Sequence, residues 1–114
     1  MDVEELMNKK DPGVDVAKLK PGTRLVVKTQ NSTYGFVTTA EPREVYAKGG
    51  KKIPKAKKVF LTGSTWGGSC LKIGWIGITM HMEIHLDSKR MLRTTAVKSI
   101  RVIGPNKEWF YDLS

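Results

Sequence analysis

The stretch Trp75-Ile76-Gly77-Ile78-Thr79-Met80-His81-Met82-Glu83-Ile84-His85-Leu86 decides the fold class. Its even positions, Ile76, Ile78, Met80, Met82, Ile84 and Leu86, are all large and apolar. Its odd positions, Trp75, Gly77, Thr79, His81, Glu83 and His85, are mostly polar or small. Side chains alternate across a strand, so period 2 over these residues predicts one face in a core and the other toward water. Ordinary strands run about five or six residues. A strand twice that length in a small domain bends around a barrel, and Gly77 offers the easiest bend.

The rest of the chain extends the pattern in both directions. Lys20-Pro21-Gly22-Thr23 is a turn, and RLVVKTQ at 24–30 follows it as a strand. Asn31-Ser32 turns the chain into TYGFVTT at 33–39, which makes a hairpin. EVYAK at 44–48, the turn Gly49-Gly50 and KKIP form a second hairpin, whose far arm Pro54 limits to an edge or a short strand. KKVFLTG at 57–63 is another strand, and Gly67-Gly68 supply the tight turn after it. Trp66 is expected to cover one end of the barrel. Asp87-Ser88-Lys89 turns the long strand back, and MLRTTAVKSIRVIG supplies one or two more strands. VEELMNKK fits a short helical turn, and EWFYDL at 108–113 a terminal strand or turn. These signals predict an all-β chain, a single small, strongly curved antiparallel β-barrel of about six or seven strands. The expected core joins the even face of 76–86 to the apolar residues of 25–37, 59–61 and 97–103.

Composition narrows the class further. At 114 residues the chain has room for one domain, 1–114, with 1–15 as an acidic N-terminal segment. No run approaches the roughly 20 apolar residues of a spanning helix, so no membrane partner is expected. The N-terminus lacks the apolar stretch of a signal peptide, and the single Cys70 excludes an internal disulfide. Both features point to a reduced, cytoplasmic setting.

The formal charge of +9 is unevenly spread. Residues 1–15 carry −3, 16–40 carry +4, and 41–47 carry −1. The block 48–58 carries +6 from Lys48, Lys51, Lys52, Lys55, Lys57 and Lys58, without an acid. Residues 59–88 return −1, the block 89–107 adds another +6, and the last seven give −2. Blocks this dense suit polyanions, whose counterions they release, although lysines also keep hairpin tips and edge strands from aggregating. Only five of the twenty cations are Arg, the residue with the planar fork for base recognition, so sequence-specific readout is not expected.

Other motifs touch on catalytic or ligand chemistry without completing it. His81, Glu83 and His85 share one strand face, but strand rise puts residues 81 and 85 roughly 13 Å apart, too far to share a metal ion. Gly63 and Gly68 bracket a phosphate-loop spacing, yet Ser69-Cys70 stands where Lys-Ser/Thr must follow, and no helix is expected there. Cys70 beside His81 or His85 lacks an orienting acid, and a small buried hydrophobe is the expected role of this thiol. Asn31-Ser32-Thr33 matches a glycosylation sequon and reads as turn chemistry. No catalytic residue, metal or cofactor is expected, and the chain does not read as an enzyme.

Two families resemble short stretches. PGTRLVVKTQNSTYGFVTT resembles the first hairpin of small SH3-like barrels, including the Sm-like RNA-binding group, over about twenty residues; that group's Arg-Gly or Lys-Gly signature is not evident. Thr62-Gly63-Ser64-Thr65-Trp66-Gly67 is similar to the strand-edge motif of PilZ barrels, which bind cyclic dinucleotides. It keeps Ser64 and Gly67, places Thr62 where that family has Asp or Asn, and Ala47 follows Arg43 where a second Arg belongs. Both resemblances imply a small barrel.

The function expected from the residues is non-enzymatic binding of a polyanion, nucleic acid or an acidic protein. The expected contacts are Lys48, Lys51, Lys52, Lys55, Lys57, Lys58, Arg90, Arg93 and Arg101. Tyr34, Phe36, Tyr46 and Trp66 are candidate stacking surfaces, since single-strand binders combine aromatics with a basic groove. The alternatives are an assembly barrel that recruits a partner or forms a homo-oligomer by strand addition, and a degenerate PilZ-like nucleotide sensor.

Overall fold

The computed structural model describes residues 13–66 and 69–104 and the backbone of 108–112; of Ser69 it describes the backbone alone. The strands are β1 (Gly13–Asp15), β2 (Arg24–Thr29), β3 (Thr33–Thr38), β4 (Glu44–Gly49), β5 (Ile53–Trp66), β6 (Ser69–Ile73), β7 (Trp75–Gly77), β8 (His81–His85), β9 (Met91–Ile103) and β10 (Glu108–Asp112). A single 3-10 turn, Val16–Lys18, follows β1.

Six strands close an antiparallel barrel in the order β2-β3-β4-β5-β8-β9, and β9 returns to β2. Closure removes the open edges that a flat sheet of this size would present. Two strands are long enough to change neighbours along their length. β5 leaves β4 at Phe60 and takes up β6 from Gly63, while its other edge pairs with β8. β9 pairs first with β8 and then lies between β2 and β10. The barrel meets the expectation of about six strands, and β9 is one strand rather than two.

Its interior is filled from alternate positions. Leu25 and Val27 of β2, Tyr34 and Phe36 of β3, Val45 and Ala47 of β4, and Val59 and Leu61 of β5 point inward. Met82 and Ile84 of β8 and Val97, Ile100 and Val102 of β9 complete the ring. Val37 and Phe60 lie within the expected core stretches but alternate to the outer face and are partly exposed. Pro54 sits in β5 where register shifts between Gly49↔Ile53 and Ala47↔Lys57, so its missing N–H breaks no ladder bond. The β4–β5 turn takes φ of 62° at Gly50, a conformation that favours glycine.

The stretch 75–86 is not one bent strand. β7 pairs with β1 away from the barrel sheet, residues 78–80 turn, and β8 alone joins the barrel. Thr79 takes the left-handed φ of 72°, and the turn is tied down by Thr79 N–H on Val97 O and Val97 N–H on Met80 O, both 2.8 Å. All six even positions are nevertheless buried, as the alternation predicts. The odd face departs from expectation at Trp75, which is buried with Gly77 packed against its ring. Val14, Val16 and Ile76 join the core cluster, so the β1–β7 pair plugs part of the interior. The short helical turn expected for VEELMNKK at 3–10 and the Gly67-Gly68 turn lie outside the described residues. EWFYDL supplies β10, as expected of a terminal strand.

Candidate functional site

Directly opposed residues in neighbouring strands share a sheet face, so the register shows which side chains the barrel gathers on its outside. One outer row runs Arg101, Val26, Gly35, Lys48 across β9, β2, β3 and β4. A second runs Ile103, Arg24, Val37, Tyr46, Lys58 from β9 to β5. A third holds Ser99, Lys28 and Thr33. Strands lie roughly 4.8 Å apart, so the three steps from Arg101 to Lys48 span about 14 Å of barrel surface. The two basic blocks of the sequence therefore meet, through Arg101 and Lys48, on the face built by β2, β3 and β4.

That face is cationic with an apolar centre. Arg24, Lys28, Lys48, Lys58 and Arg101 are exposed. Tyr46, 49% exposed, stands among them beside Val37. Lys51 and Lys52 extend the charge onto the exposed hairpin tip. Glu44, on the same side of β4 as Tyr46 and Lys48, pairs with Lys58 at 3.4 Å. An exposed pair of this kind contributes about 0–1 kcal/mol, and it offsets the Lys58 charge locally. Among the described residues, Arg24, Lys28, Lys48, Lys51 and Lys52 have no carboxylate within ion-pair distance.

The remaining expected contacts divide. Lys55 is exposed on the irregular start of β5, and Lys57, opposite the buried Ala47, is half-buried. Arg90 and Arg93 belong to a different part of the surface. Arg93 faces Glu83 across β8–β9, with Nη2 at 3.0 Å and Nε at 3.1 Å from the same carboxylate oxygen. Arg90 pairs with Asp87 at 2.7 Å in the β8–β9 turn. Hydrogen bonds from the Lys89 backbone N–H and from the Arg90 guanidinium hold the Asp87 carboxyl below the ordinary carboxylate range. Both arginines are thus neutralised locally and lie off the cationic face.

The candidate stacking residues separate in the same way. Tyr34 is only 5% exposed and lies 6.3 Å from the Phe36 ring, itself buried, so both are core residues rather than stacking surfaces. Tyr46 is open. Trp66 is 53% exposed at the end of β5. Cys70 is also exposed, not buried, because it stands on β6, beyond the closed barrel, with φ of 57°.

The other motifs are occupied within the fold. His81 Nδ1 lies 2.8 Å from Thr94 O, and His85 Nδ1 lies 3.0 Å from the Thr62 hydroxyl. Among the described residues no three His, Cys, Asp or Glu are placed to share a metal ion. Ser64, which the PilZ-like pattern would offer to a ligand, is fully buried and donates its hydroxyl to Trp75 O. The Asn31-Ser32-Thr33 stretch closes the β2–β3 hairpin through Thr29 N–H on Ser32 O at 2.8 Å. An open groove of about 710 Å³ lies near the opposite end of β4 from the lysine tip, with Glu41, Glu44 and Asp87 in its lining. Three carboxylates suit it poorly to an anion. No described helix is long and apolar enough to cross a membrane.

Arg24 and Lys28 were not among the expected contacts. Their signal is present in RLVVKT: with Leu25 and Val27 inward, period 2 turns Arg24, Val26 and Lys28 out together. Compared with known proteins, the chain matches no family model, no curated protein and no solved structure.

Proposed function

We propose that this chain is a non-enzymatic binding module that holds a polyanion, specifically nucleic acid, on the outer face of β2, β3 and β4 and on the β4–β5 hairpin. The observation that supports this reading is the pair of rows Arg101-Val26-Gly35-Lys48 and Arg24-Val37-Tyr46-Lys58. Cations flank an exposed aromatic and small or apolar positions. Phosphates would lie against the cations while a base stacks on Tyr46, an arrangement that is tolerant of sequence because every base has a π-face. The predominance of lysine at the hairpin favours attraction to the backbone over readout of base edges.

The test is fluorescence anisotropy with labelled single-stranded RNA and DNA, titrated at low and at physiological salt. Binding at low salt that falls steeply as salt rises supports the reading. Absence of binding at low salt overturns it.

A further inference from the structure

Gly35 lies at the centre of the cationic face, and the packing around it does not require a glycine. The other described strand glycines are fixed by close contacts. A Cβ would run into Ile76 O at Gly13, Thr33 O at Gly49, Lys72 O at Gly63 and Met80 Sδ at Gly77. At Gly35 the nearest atom to an added Cβ is Lys48 O at 3.9 Å, and the backbone is outside the left-handed region. The residue is exposed in the middle of β3. Glycine weakens a strand interior, so a side chain would both fit here and favour the strand. A strand glycine of this kind often marks a place where a ligand approaches the backbone.

Its neighbours suit a nucleotide. Register puts Lys48 of β4 and Val26 of β2 directly opposite Gly35. The diagonal positions include Tyr46 on β4 and Arg24 and Lys28 on β2. Among the described residues, Arg24, Lys28 and Lys48 have no carboxylate within ion-pair distance. Along β3, Thr33 and Val37 stand about 7 Å to either side. The bare backbone of Gly35 is thus a gap in the outer row, ringed by three cations and a half-exposed aromatic. Diagonal neighbours lie about 7–8 Å apart, within reach of an aromatic side chain, so a ring placed over Gly35 meets Tyr46.

We propose that Gly35 and Tyr46 form a slot for one unstacked base of a single-stranded nucleic acid, with the flanking phosphates on Arg24, Lys28 and Lys48. The proposal rests on the reading of this face as a nucleic-acid surface and adds which class of nucleic acid it takes. A duplex keeps its bases stacked on one another, whereas a single strand can splay a base flat onto an aromatic ring. A side chain at Gly35 would fill the slot and leave every cation in place.

The experiment compares Gly35→Val, Tyr46→Leu and the double variant with the wild type by anisotropy at low salt. The probes are an oligothymidylate, its duplex with oligoadenylate, and inorganic polyphosphate as a competitor that carries charge and no base. The urea midpoint of Gly35→Val should equal or exceed that of the wild type, since valine favours a strand. One base–aromatic stack is worth about 5- to 150-fold in affinity, so each single variant should weaken the oligothymidylate by at least about 5-fold more than the duplex or polyphosphate. The double variant should bind the oligothymidylate no more weakly than the weaker single variant, because both substitutions remove one slot. Wild-type affinity for the oligothymidylate in Gly35→Val overturns the slot and leaves the polyanion reading standing. Equal losses on all three probes, or a lowered urea midpoint in Gly35→Val, also overturn it, because the effect then lies with the cations or with the fold. A wild-type protein that does not bind the oligothymidylate overturns the reading of the face, and the slot with it.

Discussion

Removing two cations from the β2–β4 face and removing two from the β8–β9 region should have unequal effects on nucleic-acid binding, although formal charge alone makes the two pairs equivalent. Five cations, Arg24, Lys28, Lys48, Lys51 and Lys52, stand on the β2–β4 face and its hairpin tip without an ion-pair partner among the described residues. If each neutralises one phosphate of a single strand, log K falls against log salt with a slope of about −3.5. Raising salt fourfold, from about 50 to about 200 mM, then weakens binding about 100-fold. The double variant Arg24→Gln, Lys48→Gln removes two of the five contacts, which leaves a slope of about −2 and a loss of about 20-fold over the same range. Arg90→Gln with Arg93→Gln removes the same formal charge. Because Asp87 and Glu83 already neutralise those arginines, that variant should keep the slope near −3.5. The assay is anisotropy of one labelled oligonucleotide at four or more salt concentrations for all three proteins. Equal slope changes in the two double variants would refute the reasoning, since net charge rather than the face would then govern binding.

Three further outcomes follow from the packing. Ile84→Ala, at a fully buried β8 position, should destabilise the barrel by about 2–5 kcal/mol in urea unfolding, and a cost below about 1 kcal/mol would deny Ile84 its place in the core. Gly49→Ala should weaken the β4–β5 hairpin by at least about 1 kcal/mol, because φ is 150° there and an added Cβ would run into the Thr33 carbonyl oxygen; an unchanged urea midpoint would count against this turn geometry. The Asp87 carboxyl, held below its ordinary range by Lys89 N–H and the Arg90 guanidinium, supports the β8–β9 turn at neutral pH, and that support should be lost as pH falls through the lowered pKa. An NMR titration of the Lys89 and Arg90 amides reads this directly; shifts centred above the ordinary carboxylate value would reverse the sign.

Alternation in the sequence reported burial faithfully and strand continuity less well. Every even position from Ile76 to Leu86 is inside, yet a turn at 78–80 divides the stretch, because a hydrophobic side chain can be buried under a turn as well as in a ladder. The β1–β7 pair was illegible, since three residues at the end of an acidic segment carry no periodicity. Trp66 and Cys70 belong to residue types that usually bury, and both are exposed because the β5–β6 arm extends past the barrel. The cationic face was half legible: Lys48 and Arg101 announced themselves in charge blocks, while Arg24 and Lys28 needed the inward positions of Leu25 and Val27 to be placed beside them. The neutralisation of Arg90 and Arg93 depends on cross-strand register and a turn, which no count of charge along the chain contains.

The central claim concerns where a nucleic acid sits, and the most direct measurement is an amide chemical-shift map of the labelled protein titrated with a single-stranded oligonucleotide. The account expects the largest changes at Val26, Lys28, Gly35, Val37, Tyr46 and Lys48, with Leu71, Ile73, Met91 and Arg93 unmoved. Changes concentrated on the second group, or spread evenly around the barrel, would contradict it.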